Sequence, residues 1–297
     1  MKIGIVTVTY NSVAVIDGFL HSVLGQTHAD FVLYVVDNAS SDGSVERVGR
    51  YTDARIRVIA NQKNCGIAEG NNQGIRSAIS AGCDSVLLVN NDTEFSSTLL
   101  ETLVRGLEEY GCDMIAPKIV FYDKQQTIWS AGGGFNPWRG YSGFHYGVGQ
   151  EDDGQFDTPR LVDHAPACCL LVRKEVFARI GLIDEHFFVY VEDTDFSYRA
   201  KRAGLKLLYY PFAVLLHKAS TLTGGTTSDF TVRYCTRNQV YFMLKHFGLW
   251  RALYYLLLFE IYQAFKLLAH KVSFSGFWLR QKAFAEGFRV WRQSVTQ

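Results

Sequence analysis

The 297-residue chain lacks the marks of several protein classes. Its six cysteines (Cys65, Cys83, Cys112, Cys168, Cys169 and Cys235) include no CxxC pair. That excludes the usual zinc and dithiol motifs and leaves buried free thiols in a reducing cytosol as the expectation. The longest unbroken apolar run, Ala252 to Phe259, has eight residues, whereas a bilayer span needs ~18. No secretory leader pattern opens the chain, because Met1-Lys2 runs straight into a strand pattern. The GxGxxG spacing and the Walker lysine motif are both absent, which disfavours dinucleotide-binding and P-loop folds. There is no internal repeat and no low-complexity run. Excess charge is nearly absent too, with a formal net of +1.

That balance hides an asymmetry. Residues 1–230 hold 20 Lys/Arg against 27 Asp/Glu, whereas residues 231–297 hold 10 against 2 and carry 16 of the 42 aromatics. A basic, aromatic tail on an acidic body is built to meet anions, either membrane headgroups or nucleic acid.

Over the first half, short apolar runs alternate with helical spacing. Ile3–Val8, Phe31–Val36, Arg55–Ile59, Ser85–Val89 and a stretch starting at Met114 read as strands, and Val13–Leu24, Ile67–Ile79 and Leu99–Tyr110 as helices. This pattern predicts an α/β fold of βα units around a mostly parallel central sheet. Ligands of such sheets bind at the carboxyl ends of the strands. Thr9-Tyr10-Asn11, Asp37-Asn38 and Asn90-Asn91-Asp92 all fall there. Residues 131–160, rich in glycine and aromatics, read as a mobile loop able to close over a ligand, with Trp138 available to stack on a sugar face on the acceptor side. Beyond it, Ala167–Val172 and Ala213–Leu216 read as strands, Lys174–Ile180 and Thr194–Arg202 as helices, and the chain from Thr231 onward as helical.

Four clusters can carry chemistry. Asp92 follows an apolar strand, where a carboxylate can hold Mg²⁺ or Mn²⁺ against a diphosphate; a polar strand-to-loop turn is the other reading. Glu192-Asp193-Thr194-Asp195 puts three carboxylates at a helix start. Helix capping accounts for acids there, and a general base for an acceptor hydroxyl is the functional alternative. His217 gains a metal-binding reading only as a partner of Asp92. In Asn64-Cys65-Gly66 to Gly74, glycines permit close backbone approach and a helix N-terminus offers N–H groups to an anion.

Taken in order over about residues 3–220, these segments resemble the family 2 glycosyltransferases of the GT-A fold. Thr7-Val8-Thr9-Tyr10-Asn11 resembles the family's first-strand motif, and Val35 to Ser44 (VVDNASSDGS) its nucleoside-binding stretch. Asn64 to Gly74 resembles a segment of rhamnosyltransferase-like members. Gly181 to Phe188 (GLIDEHFF) followed by Glu192-Asp193-Thr194-Asp195 resembles the acceptor-side signature. The resemblance implies that Val8, Tyr10 and Asp37 bind the nucleoside, with Asp37 on a uracil or thymine. It extends the nucleotide site to Asn64, Gly66, Asn72, Asn90 and Asn91. Asp92 and His217 are implied as metal ligands, with Asn90 standing where many relatives carry the first Asp of a DxD motif. Asp193 is implied as the catalytic base, with Glu192 and Asp195 on the acceptor side. Ala167 replaces a glycine usual in relatives.

The implied enzyme is an inverting hexosyltransferase that takes a sugar, rhamnose in the favoured case, from a dTDP- or UDP-sugar to a glycan acceptor on a lipid carrier. The expected division is a catalytic domain over 1–230 and a basic aromatic helical region over 231–297. That region is expected to lie on the anionic inner face of the cell membrane or to pack on the body or on a second subunit; no nucleic acid is expected as a partner. Two other functions share parts of the pattern. A nucleotidyltransferase needs a Gly-rich, basic loop near the N-terminus, which residues 8–20 lack. An inactive nucleotide-sugar-binding module has no need of Asp92, Asp193 and His217 together.

Overall fold

The computed structural model describes residues 1–218 and 228–296. The last residues of the family-like stretch, 219–220, lie outside them. In chain order the elements are β1 (Ile3–Thr9), α1 (Ile16–Leu24), β2 (Phe31–Asp37), α2 (Ser44–Val48), β3 (Ile56–Ala60), α3 (Gly66–Ser80), β4 (Ser85–Val89), β5 (Thr93–Phe95), α4 (Leu99–Glu109) and β6 (Met114–Phe121). They continue with β7 (Ile128–Ser130), β8 (Gly133–Asn136), β9 (Ser142–His145), β10 (Arg160–Val162), β11 (Cys169–Arg173), α5 (Lys174–Ile180), α6 (Glu192–Arg202), β12 (Leu207–His217), α7 (Asp229–Leu268) and α8 (Phe274–Ser294).

Ten strands form one sheet with the order β10-β12-β6-β11-β4-β1-β2-β3, β5 and β7 attached at its side. Strands β3, β2, β1 and β4 pair in parallel, as do β6 and β12; β11 runs antiparallel to both β4 and β6. The main strands therefore share one direction, and their carboxyl ends lie along one edge. One face of the sheet is covered by Ile16, Phe19 and Leu20 of α1 and Leu99, Leu103 and Leu107 of α4. The other is covered by Ala68, Ile75 and Ala78 of α3, Val176 and Phe177 of α5, and Phe196 and Ala200 of α6. Strands buried on both faces need the continuous apolar runs this sequence supplies.

Glycines set the distance between α3 and β1. A Cβ at Gly74 would stand 2.3 Å from Val6 Cγ1, and one at Gly70 would stand 2.8 Å from Val8 Cγ1. The open backbone at Gly70 thus faces the sheet, where the sequence reading expected a ligand.

Residues 131–160 are not an irregular loop. β8 and β9 form an antiparallel hairpin with Gly133 paired to His145. It is fastened to α7 by Gln239 Nε2, which donates to Gly140 O at 2.7 Å, and by Tyr141 stacked on Phe247 at 4.6 Å. The C-terminal region is helical as expected, with one local break. Gly248 breaks α7 with non-helical angles (φ 69°, ψ 160°). Before the break, Val240, Tyr241, Phe242, Met243 and Leu244 pack with Phe187 into a core of their own. Ala252 and Leu256, beyond the break, are buried in the same core, and Phe284, Phe288 and Trp291 of α8 pack against it.

Candidate active site

The site is assembled where β1, β2, β4 and β12 end. At the end of β2 the buried Asp37 accepts from Thr9 Oγ1 (2.8 Å), Ser40 N (2.9 Å) and Ser40 Oγ (2.5 Å). Two left-handed residues, Asn11 (φ 52°) and Ala39 (φ 61°), shape the loops beside it. Those loops are cross-linked: Asn11 N donates to Ser40 Oγ, Ser12 N to Ser44 Oγ and Val13 N to Asp42 Oδ2. The Asp37 loop is a rigid cup, with Val8 partly buried and the Tyr10 ring half-exposed beside it.

At the end of β4, Asn90 is tied through its N–H to Cys168 O, and Asn91 Nδ2 donates to Val8 O at 2.6 Å. Asn91 is therefore a brace between β1 and the β4 exit. Antiparallel pairing of β12 with β5 sets His217 opposite Thr93 and so beside Asp92. His217 Nε2 lies 3.4 Å from Asp92 Oδ1. Burial alone would lower the His217 pKa; Cys168 and the Asp92 carboxylate beside it more than offset this and raise it. Burial raises the pKa of Cys168 itself and keeps it a neutral thiol, so Asp92 is the anion that matters. Asp92 Oδ1, Asn91 Oδ1 and His217 Nδ1 are buried without a hydrogen-bond partner. Orphaned acceptors of this kind are rare in a finished protein interior and fit a group that brings positive charge. Among the described residues no third His, Cys, Asp or Glu completes a metal cluster. A cation held here takes its remaining ligands from a diphosphate and water, as hard divalent ions at phosphate sites do.

Asp193 stands in the first turn of α6 and is partly exposed. Its Oδ1 accepts from Thr194 N at 2.6 Å, and the Ala167 N–H also reaches the carboxylate. Burial nevertheless raises its pKa. Glu192 is buried with Oε2 unpartnered, and burial together with the Asp193 charge pushes it up to about 8. Two adjacent carboxyls that cannot both ionise divide the roles, with one proton held by Glu192 and Asp193 left as the anion.

Two histidines that no motif marks lie between the Asp92–His217 pair and the start of α6. His145 at the end of β9 takes a hydrogen bond with Ser130 Oγ at 3.0 Å, and its ring lies 5.0 Å from Trp129 and 5.3 Å from His164. Trp129 in turn meets His217 edge-on at 4.5 Å. His164 Nε2 lies 3.4 Å from Thr194 Oγ1. Burial lowers both His145 and His164 to about 4, so both are neutral at pH 7. His145 feels the charges of both Asp193 and His217.

Other expected residues are placed differently. Asn72 is buried and holds the Ile183 backbone at both ends, Nδ2 to O at 2.7 Å and Ile183 N to Oδ1 at 3.0 Å. Asn64 is exposed and caps Gly66 N at 2.9 Å. Gly66 (φ 83°) is needed because a Cβ there would stand 2.5 Å from Phe188 O. Asp195 is fully buried in an ion cluster, with Arg199 at 2.8 Å, Lys245 at 2.8 Å and His246 at 2.6 Å. It fastens α6 to α7. Trp138 stands at the tip of the hairpin, 90% exposed.

The turn before α6 is strained. Phe188 (φ 64°, ψ −61°) is the centre of a positive-φ γ-turn, closed by Val189 N donating to Phe187 O at 2.7 Å. Tyr190 (φ 65°) and Val191 (φ 69°) follow in the left-handed region. Such residues cost about 1–3 kcal/mol each and persist only where their surroundings hold them.

The sequence pattern described as "Glycosyl transferase family 2" matches residues 4–181. An N-acetylglucosaminyl-diphospho-decaprenol L-rhamnosyltransferase of Mycobacterium tuberculosis is 25% identical over 274 residues, 84% of this chain and 86% of that protein. The low-salt glycan biosynthesis hexosyltransferase Agl10 of Haloferax volcanii is 29% identical over 206 residues, 69% of this chain and 63% of the relative. Among solved structures, GalNAc-T7 with UDP, GalNAc and Mn²⁺ aligns with a TM-score of 0.63 at 16% identity, over 82% of this chain and 48% of its own, so this chain spans about half of it. S. aureus TarS 1-349 in complex with UDP aligns with a TM-score of 0.55 at 17% identity, over 84% and 73%. The structural likenesses establish the GT-A-type fold. Since the family pattern covers more than half of the sequence, the chain belongs to glycosyl transferase family 2 and is a glycosyltransferase.

Proposed function

We propose that the protein transfers a sugar, rhamnose in the favoured case, from a dTDP- or UDP-sugar to a hydroxyl of a lipid-linked glycan in a single inverting displacement. The observation that supports this reading is the Asp92–His217 pair, 3.4 Å apart at the carboxyl edge of the sheet, with Asp193 and His217 both acting on the charge of His145. The relative from M. tuberculosis, whose name states a rhamnosyl transfer to a diphospho-decaprenol-linked sugar, supports the donor and acceptor class.

Asp37 and the cup around it receive the nucleobase, with Val8 and Tyr10 against the nucleoside. Asp92 and His217 would hold Mg²⁺ or Mn²⁺, which offsets the charge growing on the departing diphosphate. Asn90 in place of an acid leaves that pair with one carboxylate. Asp193 takes the proton of the acceptor oxygen as it attacks the anomeric carbon. Glu192, protonated, adds no second negative charge. Neutral His145 and His164 keep the wall of the site uncharged, and His164 orients Thr194. Trp138 at the hairpin tip offers a ring for an acceptor sugar.

The lipid carrier has a counterpart in the tail. Trp250, Tyr254, Leu257, Ile261, Phe265 and Leu268 recur at helical spacing on the second half of α7, and all are exposed. An apolar stripe of this length without protein over it, flanked by Arg251, Lys266 and Lys271, fits the headgroup layer of an anionic membrane. No helix among the described residues is long and apolar enough to cross one. Each basic residue near such a surface contributes about 1 kcal/mol. A second copy covering the stripe is the competing arrangement, and sedimentation without lipid separates the two.

The test of the reaction is a donor screen that reads released nucleotide, run with Mg²⁺ and Mn²⁺ in parallel. Acceptor-dependent release of dTDP or UDP from a nucleotide-sugar is the expected result. Pyrophosphate formation from a nucleoside triphosphate and a sugar phosphate, with no release from nucleotide-sugars, would overturn it.

A further inference from the structure

We propose that Asn238 of α7 is a positioning residue for the base: it clamps the strained turn Phe187–Val191 and so sets where Asp193 stands. This rests on the reading of Asp193 as the base and goes beyond it by assigning a catalytic task to the helix after the family-matched segment.

Asn238 is fully buried. Its Nδ2 lies within hydrogen-bond distance of three carbonyls of the turn, Phe187 O at 2.8 Å, Val189 O at 2.7 Å and Tyr190 O at 2.7 Å, which share its two N–H groups. Its Oδ1 is fixed by Arg237 Nε at 2.7 Å, and the same guanidinium reaches His186 O at 2.8 Å and Phe187 O. From the opposite side, Phe188 O accepts Ile67 N at 2.7 Å and Ala68 N at 3.3 Å, the first free amides of α3.

A turn that converges several carbonyls on one point is self-repelling and needs a donor at its centre. The turn's three left-handed residues carry side chains, so it has no conformational reason to stay as it is. Valine, branched at Cβ, is the least suited of the three, and Val191 directly precedes Glu192-Asp193. Removing the central donor lets Val191 return to negative φ, which rotates the first turn of α6 and carries the Asp193 carboxylate off the acceptor oxygen. A shift of this size, near 1 Å, is worth roughly 10²-fold in rate. The Asp37 cup lies on other elements and meets the turn through the start of α3, where Asn38 Nδ2 donates to Gly66 O at 2.9 Å.

The experiment measures kcat, donor binding by dTDP or UDP titration, and the folding transition for Asn238→Ala, Val191→Gly and the double variant, with Asp193→Asn in parallel. Asn238→Ala is expected to lower kcat by roughly 10²-fold with nucleotide affinity changed by less than about threefold. Glycine adopts positive φ at no steric cost, so Val191→Gly added to Asn238→Ala is expected to restore at least about tenfold of the lost kcat. A packing role for Asn238 cannot produce that rescue. If Asn238→Ala does not fold, Arg237→Gln is the milder variant and is expected to lower kcat about fivefold or more with the same split. Wild-type kcat in the folded Asn238→Ala or Arg237→Gln variant, parallel loss of kcat and nucleotide affinity, or a double variant no better than the single one overturns the proposal. Activity persisting in Asp193→Asn refutes the base assignment instead, so the two failures are told apart.

Discussion

The imidazole of His217 and the carboxylate of Asp92 face each other across 3.4 Å, one at the end of β12 and the other just past β4. Nothing but the sheet brings them together: β12 pairs with β5 in a register that places His217 opposite Thr93. In the free protein Asp92 favours the proton on His217, and a divalent cation must displace it.

Metal dependence follows with a pH sign. EDTA is expected to abolish transfer. Asp92→Ala and His217→Ala are expected to raise the Mn²⁺ concentration for half-maximal rate by roughly tenfold or more. Because the proton and the cation compete for His217, the half-saturating metal concentration rises as pH falls. Full activity in EDTA would mean that side chains alone neutralise the diphosphate.

The carboxyl pair predicts a pH profile. Asp193 must be ionised to act, and its pKa is raised, so kcat falls as pH drops through a value above the ordinary aspartate range. Glu192 titrates near 8. Glu192→Gln is expected to keep turnover at pH 6–7, where Glu192 is already neutral, and to lose the inflection near 8. An unchanged profile in this variant would show that Glu192 is not the proton holder.

Asp195 is expected to be structural. Asp195→Asn leaves Lys245 and His246 without their shared anion in the protein interior, a loss of about 3–5 kcal/mol read as a lower Tm. The Asp195 carboxyl is held far below its usual pKa, chiefly by its bonds to His246, Lys245 and Arg199 acting against burial. Its stabilising contribution is present above about pH 4 and is lost as pH falls further. At temperatures where the variant is folded, the acceptor KM should match wild type; a selective rise in that KM would return Asp195 to the acceptor side.

For the tail, vesicles containing anionic lipid are expected to pellet the full-length protein at low salt and to release it at high salt. Truncation after Gly248 is expected to abolish pelleting. A full-length protein that ignores anionic vesicles at low salt would leave the exposed stripe of α7 to a second subunit.

Much of this was legible in the sequence, for reasons that also mark where reading stopped. Val86-Leu87-Leu88-Val89 is an unbroken apolar run because β4 is buried on both faces, and its end announces Asp92. Glycine at 133 and 134 looks like loop composition, yet a Cβ at Gly133 would stand 2.0 Å from Phe144 O, so glycine there is what lets β8 and β9 approach. Gly66 and Asn72 sit in a family-like segment, but their contacts with Phe188 and Ile183 come from loops more than a hundred residues away. His145 and His164 carry no spacing signal at all, since only the hairpin and the strand after it bring them beside Thr194. Asn238 was equally silent: one amide inside a helical pattern becomes informative only when three carbonyls are seen to converge on it.

The central claim is that Asp193 is the base of a glycosyl transfer, and the direct measurement is kcat of Asp193→Asn beside its nucleotide affinity. The account predicts a fall in kcat of roughly 10²–10⁴, with dTDP or UDP binding near that of wild type. Wild-type turnover in that variant, or an equal loss of nucleotide binding, would contradict it.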